Sequence, residues 1–215
     1  MKHIIILFGP PGIGKGTIGK ILSEKLHLPL ISIGDLLRNN VKNSTPIGKR
    51  AEIFMKKGEL VPDDIVFEAL NDRVNQQDAG KGFLMDGFPR NLSQAMMFEK
   101  LLNKEDKIIL INLVASDNVL IERLSLRRIC NNCGAIYHLK NIVPKQQGVC
   151  DTCGAELIQR DDDKPDVISR RLEIFKKDTS PLLEYYRGKH KVVDICAEDN
   201  PVNIMKRIDL VKLWE

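Results

Sequence analysis

The sequence predicts an α/β fold in which a parallel sheet is covered by helices on both faces. Two observations carry this. Short apolar, β-branched runs of strand length alternate with segments of helical spacing, and no repeat or low-complexity linker interrupts them; that is the pattern of strand–helix–strand units wound into one sheet. The chain also has 215 residues, 43% of them hydrophobic, ample for a buried core and, at about 150 residues per domain, suited to one domain carrying insertions.

The elements follow in order. Ile4–Phe8 is an unbroken apolar run and reads as a buried strand; it ends in a Gly-rich loop that leads into a helix from about Gly14 to Leu26. Leu30–Ile31 is a short strand, and Gly82–Met85, Ile108–Val114 and Lys191–Ile195 are further strands. Leu92–Leu102 and Ile168–Tyr186 have helical spacing. Two stretches stand apart from this alternation. Residues 32–61 look helical with breaks at Pro46 and Gly58, and residues 126–163 hold cysteine pairs and turn residues without a long apolar period. The core is therefore expected in residues 1–31, 62–125 and 164–215, with 32–61 and 126–163 as insertions.

Charge excludes some function classes. Lys+Arg number 33 against 29 Asp+Glu, a net charge of +4, and no block of five or six like charges occurs, so the balance argues for neither a nucleic-acid nor a membrane-surface partner. The longest early apolar run, Ile4–Phe8, is five residues. A signal peptide needs roughly seven to fifteen and a membrane span about 20, so the cytoplasm is the expected compartment.

GPPGIGKGT, Gly9 to Thr17, lies between a predicted strand and a predicted helix. Glycines there let backbone N–H groups turn inward around a phosphate, the helix N-terminus adds partial positive charge, and Lys15 reaches the β and γ phosphates. Gly16 stands where the usual pattern places a Mg²⁺-binding Ser or Thr, which leaves Mg²⁺ to phosphate oxygens and water. Asp86 closes the strand of FLMDGFPRNLSQ (Phe83–Gln94). A carboxylate at the C-terminal end of a parallel strand faces the ligand crevice, where it holds Mg²⁺ through water. Arg90, on the loop beyond Pro89, offers its planar fork to a phosphate.

Together, GPPGIGKGT, IGDLLR (Ile33–Arg38) and DGFPR (Asp86–Arg90), followed by Arg123–Arg128 and RDDD (Arg160–Asp163), resemble the adenylate kinases over essentially the whole chain. The resemblance implies Mg²⁺-dependent, reversible phosphoryl transfer from ATP to AMP giving two ADP, which maintains the adenine nucleotide balance in a monomeric enzyme. It implies that Gly12, Ile13, Gly14, Lys15, Gly16 and Thr17 bind the ATP phosphates, that Arg123 and Arg127 contact ATP, and that Ile136, Tyr137 and the Asn200 backbone flank its ribose and base. On the AMP side it implies Ile33, Arg38 and Gln94, with backbone at Glu59, Leu60 and Val61 and at Gly87, Phe88, Pro89 and Arg90, while Arg160 and Arg171 close on the phosphates. Lys15, Asp86, Arg90, Arg127, Arg160 and Arg171 then carry the chemistry. Residues 32–61 become a unit closing over AMP and 126–163 one closing over ATP. Two positions depart from the family pattern. Ile33 replaces a Thr that meets the acceptor base, leaving Gln94 to favour AMP, with UMP or CMP as the alternative acceptors. Leu126 replaces a Gly before the paired arginines and bears on hinge flexibility.

Cys130, Cys133, Cys150 and Cys153 form CxxC–x16–CxxC. Two such knuckles meet in a tetrahedral S₄ site, which with no open position is structural; zinc is expected and iron is the alternative. Residues 126–163 contain five Lys/Arg, five Asp/Glu and a single aromatic, Tyr137, so a nucleic-acid-binding ribbon lacks its basic, stacking footprint. Cys196 reads as a small buried hydrophobe, His138 as a surface histidine, and Trp214 offers no chemistry.

Overall fold

The structure is a computed structural model that describes residues 1–210 and 213; Trp214 lies outside them. The expected sheet forms from β1 (His3–Phe8), β2 (Leu30–Ser32), β3 (Gly82–Asp86), β4 (Lys107–Val114) and β8 (Lys191–Cys196) in the order β2-β3-β1-β4-β8, every pair parallel. Strand alternation splits the central strand between two layers. Ile4, Ile6 and Phe8 pack with one apolar cluster and Ile5 and Leu7 with the other.

Helices supply those layers. On the first face lie α4 (Asp63–Val74), α5 (Leu92–Lys100) and α8 (Leu182–Arg187), through residues such as Leu70, Phe98 and Tyr186. On the second lie α1 (Lys15–Leu26), α6 (Asp117–Ser125), α7 (Pro165–Ile174) and α9 (Pro201–Arg207), through Leu22, Leu124, Leu172 and Ile204. From β1 the chain winds to one side of the sheet and from β3 it crosses to the other. Such a reversal opens a crevice beyond the strand ends, and the loop after β1 enters it. Among the described residues no helix is long and apolar enough to cross a membrane.

Between β2 and α4 lie α2 (Ile33–Lys42) and α3 (Pro46–Lys56). Pro46 opens α3 rather than breaking a helix. Its missing N–H is one of the donors a helix start leaves unpaired anyway, and Thr45 caps the helix by accepting the Gly48 N–H at 3.1 Å. The two helices touch so closely at Gly48 that a Cβ there would lie 2.2 Å from the Asn40 carbonyl oxygen. Between α6 and α7, β5 (Arg127–Cys130) is flanked by β6 (Ile136–His138) and β7 (Leu157–Ile158) in a small antiparallel sheet, with a cluster of its own around Cys130, Tyr137, Cys150 and Leu157.

Three further expectations change. The helical stretch 168–186 is α7, a π turn at Phe175–Thr179, and α8. The Ser180 N–H reaches back five residues to the Phe175 carbonyl at 2.7 Å, and Pro181, which has no N–H to donate and crowds the preceding turn, follows at once. Cys196 is exposed, not buried, because the alternation along edge strand β8 gives the inward position to Ile195. His138 is buried rather than on the surface; its Nδ1 accepts the Lys140 and Asn141 N–H groups at 3.2 and 3.1 Å and so holds the turn after β6.

Replacing Gly48 by Ala forces α2 and α3 apart, and such overpacking costs about 1–3 kcal/mol. Denaturant unfolding is expected to show that loss in Gly48→Ala.

Candidate active site

The strand ends open onto a cleft of ≈ 810 Å³. At Gly14 the chain takes φ 103°, and a Cβ there would meet nothing within 4 Å, so the backbone conformation rather than space calls for glycine. Lys15 begins α1 and turns its Nζ back onto the Gly9 and Pro10 carbonyl oxygens at 2.8 and 3.0 Å. The ammonium is thus folded back across the loop that leads into the α1 N-terminus, where unpaired N–H groups and the helix dipole suit an anion. Burial pulls the Lys15 pKa down to about 8; Asp86 resists, and Arg90, Arg171 and Arg127 push the same way as burial.

Asp86 stands at the end of β3, level with Leu7 of β1 and Ser32 of β2. Burial raises its pKa against the attraction of Lys15. A Cβ on Gly16 would lie 3.5 Å from Asp86 Oδ2, so the bare residue 16 leaves this carboxylate open toward the loop. A carboxylate beside a phosphate cradle is a donor set that Mg²⁺ takes, keeping its remaining positions for phosphate oxygens and water.

The arginines come from four distant parts of the chain and are held by hydrogen bonds and ion pairs. Phe88, packed edge-on to Phe98 and Phe67 at ring-centroid distances of 5.5 and 5.9 Å, anchors the loop carrying Arg90. Arg90 Nε donates to the Gly87 carbonyl at 2.8 Å, and its own carbonyl accepts the Thr179 hydroxyl at 2.8 Å from the π turn. Arg127 donates through Nε and Nη2 to both oxygens of Asp163, at 2.8 and 2.6 Å. Arg171 donates to the Asp162 carbonyl at 2.8 Å and to Asp163 at 3.3 Å. Arg38 pairs with Asp35 at 2.6 Å, and Arg160 stands 3.9 Å from the same oxygen. Burial, together with neighbouring arginines, lowers the pKa of Arg90 and Arg160 to about 10; the arginines are Arg171 and Arg38 for Arg90, and Arg38 and Arg127 for Arg160. Buried Arg160 Nε has no hydrogen-bond partner among the described residues. Cations driven together out of water, with a buried donor unsatisfied, fit an anionic ligand.

Arg123 is clamped differently. Nη1 donates to the Ile13 and Ala197 carbonyls at 3.2 and 2.8 Å, and Nη2 to the Asp199 carbonyl at 3.2 Å, joining the phosphate loop to the loop before α9. Asn200 caps α9 by accepting the Asn203 N–H at 3.0 Å. Tyr137 borders the cleft, but its hydroxyl points into the small sheet, accepting the Asp151 N–H at 2.7 Å and lying 3.5 Å from Cys150 Sγ. Glu59 pairs with Arg170 at 2.5 Å, and Leu60 and Val61 follow it along the wall. All the expected nucleotide-site residues border the main cleft except Ile33 and Gln94, which instead meet across a small void that opens beside it.

Sequence reasoning misses the carboxylates Asp35, Asp162 and Asp163. Charge runs are ordinarily solvated faces, and only the spacing of RDDD next to Arg160 hints otherwise. Burial opposes ionisation of Asp35 and Asp162, yet the arginines prevail and hold both below the usual carboxylate range, Arg38 leading for Asp35 and Arg171 for Asp162.

The four cysteines of the ribbon place their Sγ atoms within 4.8 Å of one another, with Cys130–Cys153 at 3.4 Å and Cys133–Cys150 at 3.5 Å. A disulfide bond is about 2.05 Å long, so none is formed among them. A tetrahedron with Zn–S of about 2.3 Å has edges of roughly 3.8 Å, which these sulfurs fit.

The adenylate kinase family model matches residues 7–191. Proteins named adenylate kinase from Methanocella arvoryzae, Clostridium tetani and Archaeoglobus fulgidus are 50%, 47% and 44% identical to this chain, covering 90%, 92% and 96% of it and 90%, 94% and 96% of their own lengths. With the family model and near-full-length relatives agreeing with the phosphate loop and the arginine-lined cleft, the chain belongs to the adenylate kinase family.

Proposed function

We propose that this cleft carries the reversible transfer of the terminal phosphoryl group of ATP to AMP, giving two ADP, through the residues assembled above. The observation that carries the reading is the convergence of Lys15, Asp86, Arg38, Arg90, Arg127, Arg160 and Arg171 on one cleft. In this reaction an AMP phosphate oxygen attacks the γ phosphorus while the bond to the β-phosphate oxygen breaks. The two nucleotides bring roughly six negative charges, counting about two per terminal phosphate. What the protein supplies is fixed positive charge and exclusion of water, which would otherwise take the phosphoryl group.

Lys15 and the N-terminus of α1 bind the donor phosphates, Arg38 and Arg90 the AMP phosphate, and Arg127, Arg160 and Arg171 span the transferring group. Mg²⁺, held near Asp86, neutralises phosphate charge when bound. Residues 32–61 close over AMP and 126–163 over ATP. Contacts between distant parts support this: Lys42 Nζ donates to the Asn131 carbonyl at 3.2 Å, and Arg160 from the second insertion lies beside Asp35 from the first. Zinc in the Cys130, Cys133, Cys150, Cys153 site organises the second unit. On the same reading the enzyme works as a cytoplasmic monomer, since one chain supplies both the donor and the acceptor sides.

ADP formation from Mg-ATP with AMP, CMP, UMP and GMP offered separately tests the reading; turnover is expected to favour AMP strongly, whereas a pyrimidine preference moves the function to another monophosphate kinase. The low pKa of Lys15 sets a pH dependence. Bound phosphates raise that pKa above its free value of about 8, so binding takes up a proton at higher pH. Affinity is therefore flat below about pH 8 and weakens above it, by up to about tenfold per unit. The KM for Mg-ATP measured against pH is expected to show this rise, and Lys15→Arg to flatten it while lowering turnover. Chelation verified by metal analysis is expected to lower the calorimetric melting temperature while part of the core activity survives; unchanged melting refutes the structural metal.

A further inference from the structure

Behind Gln94, on the acceptor side, stand two polar side chains that the assignments above leave unused, Asp63 and Asn91. Gln94 is 1% exposed, and both ends of its amide are committed. Oε1 accepts the Arg90 backbone N–H at 2.7 Å, and Nε2 donates to Asp63 Oδ1 at 2.8 Å. Asp63 is held in turn. Asn91 Nδ2 donates to the same oxygen at 3.0 Å, and Asn91 Oδ1 is fixed by the Gln94 N–H at 2.8 Å.

A peptide N–H only donates and a carboxylate only accepts. Each partner therefore dictates which end of the Gln94 amide faces it, and a flip would set N–H against N–H and oxygen against carboxylate. One lone pair on Oε1 and one N–H on Nε2 remain for a ligand. The amide borders the small void with Ile33, Leu37, Leu60 and Phe88, and the last three of these border the main cleft as well. Ile33, 2% exposed, offers a base no polar group, so recognition of the base edge falls on the amide. Adenine presents an amino N–H beside a bare ring nitrogen, the complement of a free lone pair and a free N–H. A 6-oxopurine reverses both and meets two mismatches, which buried polar groups penalise heavily.

We propose that Asp63 is a positioning residue for acceptor choice: its carboxylate locks the Gln94 amide in the orientation that accepts adenine and rejects a 6-oxopurine. This rests on the reading of Gln94 as the contact to the acceptor base.

AMP and IMP differ only at that base edge, so the test is the kcat and KM of each acceptor with saturating Mg-ATP in the parent, Gln94→Leu, Asp63→Ala and Asp63→Asn. Asp63→Ala is expected to raise the KM for AMP and shrink the AMP-to-IMP ratio of kcat/KM by roughly tenfold, the scale of one charged hydrogen bond, with the KM for Mg-ATP unchanged. Asp63→Asn keeps an acceptor oxygen and is expected to restore the ratio. Should Asp63→Ala not fold, Asp63→Ser, whose hydroxyl falls short of Gln94, reads the same ratio. Loss of the ratio in Gln94→Leu with a parental ratio in Asp63→Ala overturns the positioning role. A parental ratio in Gln94→Leu overturns both that role and the reading of Gln94 beneath it.

Discussion

Crowding like charges out of water is the constraint on which the rest of this structure depends. Lys15, Arg90, Arg160 and Arg171 are all drawn toward their neutral forms, chiefly by burial and in addition by the arginines around them. Such an arrangement is costly in isolation, and the fold holds it only because each cation is tethered. Some tethers are carboxylates, such as Asp163 beneath Arg127 and Arg171. Others are main-chain carbonyls, as for Lys15 and Arg123. In this arrangement of the cleft each cation is held in place by the protein itself, so little reorganisation is left for the reaction.

The sheet supplies the fixed frame for those tethers. Parallel strands put the loop after β1 and the carboxylate at the end of β3 on the same edge, one strand apart. The arginines of β5, of the segment before α7 and of α7 itself reach the same place from the other side, and Asp163, fully buried between two of them, pins that segment. The π turn has a matching role, since by widening the helix at Phe175–Thr179 it carries the Thr179 hydroxyl to the main chain of Arg90. π turns within helices often mark functional positions, and here the widening joins a helix of one layer to the loop that carries Arg90 into the cleft.

What is legible in the residues is local. A Gly-rich loop between a strand and a helix, a strand ending in Asp, and two CxxC knuckles each need only neighbours along the chain to be understood, and each stands in the fold where its pattern places it. Partners chosen by tertiary packing are not legible in this way. Asp163 looks like one acid in a run of three, and only the fold shows it beneath Arg127. Asp63 looks like a helix-opening acid, which it is, but its link to Gln94 spans 31 residues. Pro46 carries no sign in its own letter of whether it stops or starts a helix; the Thr before it, a good cap, decides for a start. Cys196 and His138 mislead for a related reason. Burial at a strand end depends on which face the alternation assigns, and burial in a turn depends on what the imidazole accepts.

Arg123 leads to one consequence of a different kind. By gripping the carbonyls of Ile13, Ala197 and Asp199 with one guanidinium, it sets the spacing between the loop that receives phosphates and the loop that leads to Asn200. A planar, five-donor group with three carbonyls in its fork has little freedom to lengthen or shorten. The side chain therefore behaves as a ruler between the two loops: one planar group, and not the packing of the sheet beneath, sets how far apart they stand.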